Sequence, residues 1–295
     1  MTDNNSTIAF IGLGNMGGPM AANLAASGYS VHGFDVGAEA LAAAREAGIE
    51  TFDSAAAAVD GADTVISMLP NGSLVDAVVT EALAVVKPGT LFVDCSTISV
   101  DDAKSIHSTV AGAGSAFIDA PVSGGVAGAA AGTLAFMVGG DGSDVARATP
   151  LFDVMGRAVT HCGPVGAGQA AKVCNNMVLA IHQLAIGEAM VLGEKLGLSA
   201  ESFHSVVSNS TGACWALTVN CPVAGPVPTS PANNDFKPGF ATALMVKDLG
   251  LAMGALDSTG ASAPLGRTAA EKFREFADAG NAHLDFSAII NTLRD

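Results

Sequence analysis

The sequence predicts an α/β protein in two parts: an N-terminal doubly wound parallel sheet of Rossmann type, joined by a long interdomain helix to an all-α C-terminal domain. Three observations carry that expectation. Short apolar runs alternate with helical stretches as far as about residue 160, and such alternation builds parallel sheets. The first of these units turns on three glycines in G-x-G-x-x-G spacing. After residue 165 the strand alternation stops. A chain of 295 residues suits two cores better than one, and the expected parts are residues 1–164 and 165–295.

In chain order, residues 7–11 form an apolar run that leads into Gly12-Leu13-Gly14-Asn15-Met16-Gly17 and then a helix to Gly28. The first glycine permits a tight turn, the second lets backbone approach a pyrophosphate, and the third allows helix and strand to pack closely. Amides at the helix start would hold the phosphates. The next strand, residues 30–35, ends in Asp35, a little over twenty positions after Gly12. A carboxylate there accepts from the ribose hydroxyls and repels a 2′-phosphate, so the cofactor expected is NAD rather than NADP.

Residues 38–48 read as a helix, 63–69 as a buried strand ending at Pro70, 74–86 as a helix and 89–97 as a further strand. Ligands of open α/β sheets collect at the carboxyl ends of strands, which makes Leu69, Pro70, Ser96 and Thr97 expected neighbours of the nicotinamide half. The strand beginning at Ala116 ends in Pro121 and is followed by Ser123-Gly124-Gly125. The amides and hydroxyl of that loop could converge on an anion such as a carboxylate, and an ordinary glycine turn reads the same way. Strands at 133–139 and 158–161, with a helix at 144–155 between them, complete the sheet.

Past Gly163 a glycine-rich loop opens into one helix over 169–196, roughly 40 Å long at about 1.5 Å per residue. It is apolar nearly all round, which predicts burial. Lys172 and Asn176 stand four positions apart on one face, with Gln183 further along the same stripe. A lysine here is either a surface residue with a snorkelling stem or, at the positive end of the helix dipole, a partly deprotonated or partner-held amine of the kind catalysis uses. Ser199 starts another helix, residues 209–239 form a long proline-rich loop with a helical fragment around Trp215, and helices follow at 242–258 and 265–279.

A formal charge of −15, with 13 Lys plus Arg, argues against nucleic acid or an anionic membrane as partner. The cysteines, five in number, lack C-x-x-C pairing, so free thiols in a reducing compartment and no metal site are expected. Residues 1–6 have no basic n-region and no run reads as reaching the length of a membrane span, so a cytoplasmic, soluble protein is expected.

Four motifs together resemble the β-hydroxyacid dehydrogenase superfamily over essentially the whole chain: Phe10-Ile11-Gly12-Leu13-Gly14-Asn15-Met16-Gly17, Asp119-Ala120-Pro121-Val122-Ser123-Gly124-Gly125, Gly168-Gln169-Ala170-Ala171-Lys172-Val173-Cys174-Asn175-Asn176, and Lys247-Asp248-Leu249. Cys214-Trp215, Pro222 to Pro226, Pro231 to Asn234 and Pro238-Gly239-Phe240 resemble the branch that oxidises 3-hydroxyisobutyrate to methylmalonate semialdehyde in valine degradation. Ala213 departs from the polar or basic residue expected there, which bears on substrate rather than chemistry.

The resemblance implies Lys172 as general acid and base on the substrate hydroxyl and Asn176 as the residue that orients substrate. It implies a carboxylate site at Ser123, Gly124 and Gly125, with Asn175 and Lys247 also at the substrate. Lys247 and Asp248 would reach the cofactor as well, from a helix that closes over the cleft. Residues of one sign beside Lys247 also allow a plain ion pair with Asp248 or Asp257. Two other readings stay open: a sister reductase acting on tartronate semialdehyde, glyoxylate or succinate semialdehyde, and a non-catalytic NAD-binding module. The buried helices of the second part suggest a homodimer or homotetramer.

Overall fold

The structure, a computed structural model, describes residues 6–294; the leader reading falls largely on residues 1–5, outside that range. The chain divides into two compact units between Lys172 and Val173. The expected division lay at 164/165, ahead of the long helix.

The first unit carries β1 (Thr7–Ile11), α1 (Gly17–Ala26), β2 (Ser30–Phe34), α2 (Ala38–Glu46), β3 (Glu50–Thr51), α3 (Ala55–Val59), β4 (Thr64–Ser67), α4 (Gly72–Leu83), β5 (Leu91–Asp94) and α5 (Val100–Gly112). It continues through β6 (Ala116–Asp119), β7 (Val122–Ser123), α6 (Gly125–Ala130), β8 (Leu134–Gly139), α7 (Gly142–Met155) and β9 (Gly156–Gly163). The strand order is β3-β2-β1-β4-β5-β6-β8-β7, with β9 pairing β8. Pairing is parallel from β3 to β6 and between β8 and β9.

The doubly wound, parallel-dominated sheet expected from the sequence is present, with one local departure: β8 runs antiparallel to both β6 and β7. Between β6 and β8 the chain forms β7, which pairs directly with β8, and the short helix α6, so it returns as an antiparallel neighbour rather than through a parallel crossover. Both faces of the sheet are covered, so its strands read as unbroken apolar runs. Ile8 and Phe10 of β1 pack with Met20 and Leu24 of α1 on one face, and Ala9 and Ile11 with Val65 and Val75 on the other. Each such fully buried side chain contributes about 1.5–3 kcal/mol.

A single helix, α8 (Ala167–Lys195), runs through the division. The second unit adds α9 (Ala200–Ser208), α10 (Trp215–Thr218), α11 (Thr242–Thr259), α12 (Pro264–Phe276) and α13 (Asn291–Arg294). Met245 and Leu249 of α11, Ala269 and Phe273 of α12 and Phe286 make one core cluster; Ile186 and Met190 of α8, Phe203, Leu217 and Ile290 make another.

Helix α8 departs from its expected uniform burial. Asn175, Val178, His182, Ala185 and Leu192 are exposed along it, and Leu196, just beyond its end, is 77% exposed. These positions, with half-buried Ala189, recur at alternating steps of three and four, so they form one stripe. By length and composition α8 could cross a membrane, which the sequence was not expected to allow. Its interior face, however, carries buried Gln169, Lys172, Asn176 and Gln183, groups that hydrocarbon cannot satisfy.

Candidate active site

In the first unit, β1 delivers the chain to Gly12 with φ +95°. A Cβ on Gly12 would collide with the Met68 carbonyl, and one on Gly17 with the Gly12 carbonyl. At Gly14 nothing lies within 4 Å of where a Cβ would stand. Gly14 and Asn15 are exposed, Met16 is half-buried and Leu13 is packed inside. Helix α1 has neither a side-chain cap nor an acidic first turn, so no acidic side chain of its own competes with an anion there, although the Gly18 amide already donates to the Gly14 carbonyl at 2.9 Å.

Asp35 follows β2. The Leu13 amide donates to its Oδ2 at 2.7 Å and the Gly37 amide to its Oδ1 at 2.7 Å. Each oxygen keeps acceptor capacity, and the side chain is only half-buried. NAD fits this turn: open backbone for phosphates at Gly14, and an anchored carboxylate for a ribose.

The carboxyl ends of β4, β5 and β6 carry a line of polar groups. Leu69 is half-buried and Pro70 exposed. Ser96 is fully buried, and its hydroxyl accepts from the Leu69 amide at 2.8 Å. Thr97 beside it is half-buried. Asp94 is also buried; Oδ1 accepts from the Ser67 hydroxyl at 2.8 Å and the Ser96 amide at 3.2 Å, while Oδ2 has no partner among the described residues. Burial pushes its pKa up to about 6 against the opposing hydrogen bonds from Ser96 and Ser67.

Ser123 ends β7, and Gly124 (φ +139°) and Gly125 (φ +63°) turn the chain into α6. Ser123 and Gly125 are half-buried and Gly124 is exposed. The first amides of α6 have no intrahelical acceptor, which makes this a loop able to receive a carboxylate.

Lys172 lies in the second turn of α8 and is 8% exposed. The helix start is fixed by two side chains that the sequence reading did not select. Asp119, at the end of β6, accepts from the Gly166 amide at 2.7 Å and the Gln169 amide at 2.8 Å; burial raises its pKa, and backbone amides oppose that rise. Gln169 pairs with the backbone of residues 96 and 98. These ties hold the first turn of α8 to the sheet, and the compact first unit accordingly extends to Lys172. An acidic residue closing a buried strand, as at Asp35, was the available signal for Asp119.

In the second unit, Asn176 is buried and its amide donates to Asp248 Oδ2 at 2.5 Å. Exposed Asn175 donates to the Asn176 side-chain oxygen at 3.0 Å. Lys247 stands 3.6 Å from Asp248 Oδ1, while Asp257 is taken by Arg267 at 2.7 Å. Asp248 therefore ties together Asn176 and Lys247, two of the residues singled out in the sequence. Asp285, which no sequence signal marked, accepts from Asn220, from the Ser287 amide and hydroxyl, and from the amides of Gly239 and Phe240.

The family model for the NAD binding domain of 6-phosphogluconate dehydrogenase matches residues 7–163, and that for the NAD-binding of NADP-dependent 3-hydroxyisobutyrate dehydrogenase matches residues 166–293. A probable 3-hydroxyisobutyrate dehydrogenase of Mycobacterium tuberculosis is 60% identical over 289 residues, 98% of each chain. An NAD-dependent L-serine dehydrogenase of Pseudomonas aeruginosa is 47% identical over 96% of each. The solved structure of the Mycobacterium tuberculosis 3-hydroxyisobutyrate dehydrogenase with L-serine superimposes with a TM-score of 0.95 at 59% identity, covering 99% of this chain and 100% of that one.

Proposed function

The chain belongs to the 3-hydroxyisobutyrate dehydrogenase family of NAD-dependent oxidoreductases, and from that premise we propose that it oxidises 3-hydroxyisobutyrate to methylmalonate semialdehyde with Lys172 as general acid and base. The observation that carries the reading is a buried lysine on a helix whose first turn is hydrogen-bonded to the carboxyl ends of β5 and β6, where an α/β sheet receives its ligand.

NAD, when bound, supplies the acceptor for the hydrogen and electron pair that leave the carbinol carbon. Gly12 to Gly17 and Asp35 hold it, with Leu69, Pro70, Ser96 and Thr97 along the strand ends. The part of Ser96 is indirect, since its hydroxyl is already engaged by the Leu69 amide. Ser123, Gly124 and Gly125 receive the substrate carboxylate. Lys172 Nζ takes the hydroxyl proton as the carbonyl forms and returns it in reduction. Asn176 orients the substrate oxygen, itself oriented by Asp248; Asn175, Lys247 and Asp248 are the remaining substrate and cofactor contacts of this reading.

L-Serine is the second substrate reading. It favours itself through the serine dehydrogenase relative and the serine-bound structural neighbour, and it shares a primary alcohol placed β to a carboxylate. We further propose a cytoplasmic homodimer or homotetramer. All five cysteines are free thiols, and the exposed stripe of α8 carries Val178, Leu192 and Leu196, apolar groups that a second copy would cover.

Initial rates with NAD and NADP against both enantiomers of 3-hydroxyisobutyrate, L-serine and the semialdehydes test the assignment. A kcat/KM for 3-hydroxyisobutyrate at least tenfold above the others is the expected result. A higher value for serine transfers the assignment to that substrate, and no NADH formation with any of them removes the enzymatic reading.

A further inference from the structure

Lys172 acts from a helix, and a helix start is only as well placed as the groups that hold it. Gln169 stands three residues before Lys172, on the same face of α8, and is fully buried. Its carboxamide Nε2 donates to the Ser96 carbonyl at 2.8 Å, and its Oε1 accepts from the Ile98 amide at 3.2 Å. The side chain thus takes the place of a peptide group pairing with the exit of β5. That exit is itself fastened: Ser96 holds the Leu69 amide through its hydroxyl and reaches Asp94 through its own amide.

One hydrogen-bonded line therefore runs from the end of β4, across the end of β5, to the first turn of α8, one turn before Lys172. Asp119 adds the second fastening, capping α8 from the end of β6. The seat allows no slack, because a Cβ on Gly168 would enter the Met137 carbonyl and lie 2.8 Å from both the Asp119 carbonyl and carboxylate.

We propose that Gln169 is a positioning residue for the reaction: its carboxamide sets the height of Lys172 against the Leu69 and Ser96–Thr97 strand exits that flank the nicotinamide. This role rests on the reading of Lys172 as acid and base. It separates from simple structural support in one respect. A side chain that only stabilised the fold would leave kcat of the folded enzyme unchanged when removed, whereas loss of a positioning group slows the chemical step.

The test uses the full-length enzyme with NAD and its preferred hydroxyacid, comparing wild type, Gln169→Met, Gln169→Glu and Lys172→Met. Gln169→Met keeps the length of the side chain and removes both hydrogen bonds. It should lower kcat by about 30- to 100-fold, the scale of a misplacement near 1 Å, with the Kd for NAD within about twofold of wild type. The primary deuterium isotope effect on kcat should rise toward its intrinsic value as chemistry becomes rate-limiting.

Gln169→Glu keeps the acceptor for Ile98 and loses the donor for Ser96, so it should show the same pattern at about tenfold; it carries the test alone if Gln169→Met does not fold. Wild-type kcat in the folded variants, or a fall in kcat matched by an equal loss of NAD affinity, overturns the proposal while an inactive Lys172→Met leaves the functional reading standing. Activity retained in Lys172→Met overturns that reading and this role with it.

Discussion

Two buried aspartates, one in each unit, organise the polar interior in different ways. Asp119 closes a strand and holds amides of one continuous segment, residues 166–169. Asp285 gathers groups from three stretches far apart in the chain: Asn220, the Gly239–Phe240 pair and Ser287. The loop it closes includes Asp235 and Phe236, two consecutive residues in the left-handed region at φ 47° and 53°. Such conformations cost of order 1–3 kcal/mol each, here offset by the Phe236 amide bonding to Pro231 and its carbonyl receiving the Asp285 amide. The first unit thus places functional groups by strand register, and the second holds a shaped loop by a tertiary knot.

Loss of the acid and base in the first unit should have the largest effect. Lys172→Met should lower kcat by about 10³- to 10⁴-fold with NAD titrating as in wild type; equal losses in binding would show that its function is electrostatic support of the cofactor instead. The counterpart in the second unit is Asp285→Ala, which orphans the buried donors of Ser287 and Asn220 and strips the Gly239 and Phe240 amides of their acceptor. It should cost about 3–5 kcal/mol in urea unfolding and leave NAD affinity unchanged. A parallel loss of NAD affinity would break the division of labour between the units.

The pH dependence of stability sharpens the contrast within the first unit. Asp94 has its folded pKa raised from 3.8 to about 6, so the folded state binds the extra proton. Stability from this group is therefore greatest near pH 4 and falls as pH rises to about 6, by on the order of 2–3 kcal/mol. Asp94→Asn should flatten that slope, as measured by urea midpoints at pH 4.5 and 7.5. Asp63, lowered chiefly by its bond to Lys87, works in the opposite direction, losing its contribution as pH falls. The smallest effect expected is at Asp35: Asp35→Ser should shift the NAD to NADP preference by about tenfold, read from kcat/KM for each cofactor.

What the sequence made legible follows the same division. Gly12, Gly14, Gly17 and Asp35 belong to one strand–turn–helix–strand unit whose chemistry is local, and Lys172 and Asn176 declare themselves by helical spacing. The antiparallel β8 was hidden because an apolar strand looks the same in either direction. The exposed stripe of α8 was hidden because apolar residues facing solvent and core are indistinguishable in composition. Ser96 was read as a neighbour of the nicotinamide half, and nothing local marks the bond of its hydroxyl to the Leu69 amide. Asp285 had only its local bond to Ser287 to mark it; its other partners, Asn220 and the Gly239–Phe240 pair, lie far away in the chain. Gln169 was quoted within a motif but read only as part of a helix start, its partners lying more than seventy residues away.

The three glycines of the first turn look equivalent in the sequence, yet they answer to different constraints. A methyl group at Gly12 or Gly17 strikes the protein's own carbonyls, so a selection for soluble, folded chains would discard both. At Gly14 the same methyl group meets empty space. A library screened for folding alone would accumulate substitutions there unnoticed, and only a screen for cofactor use would reject them. On the proposed reading, position 14 faces the cofactor, and mutational tolerance measured under the two selections would test that assignment residue by residue.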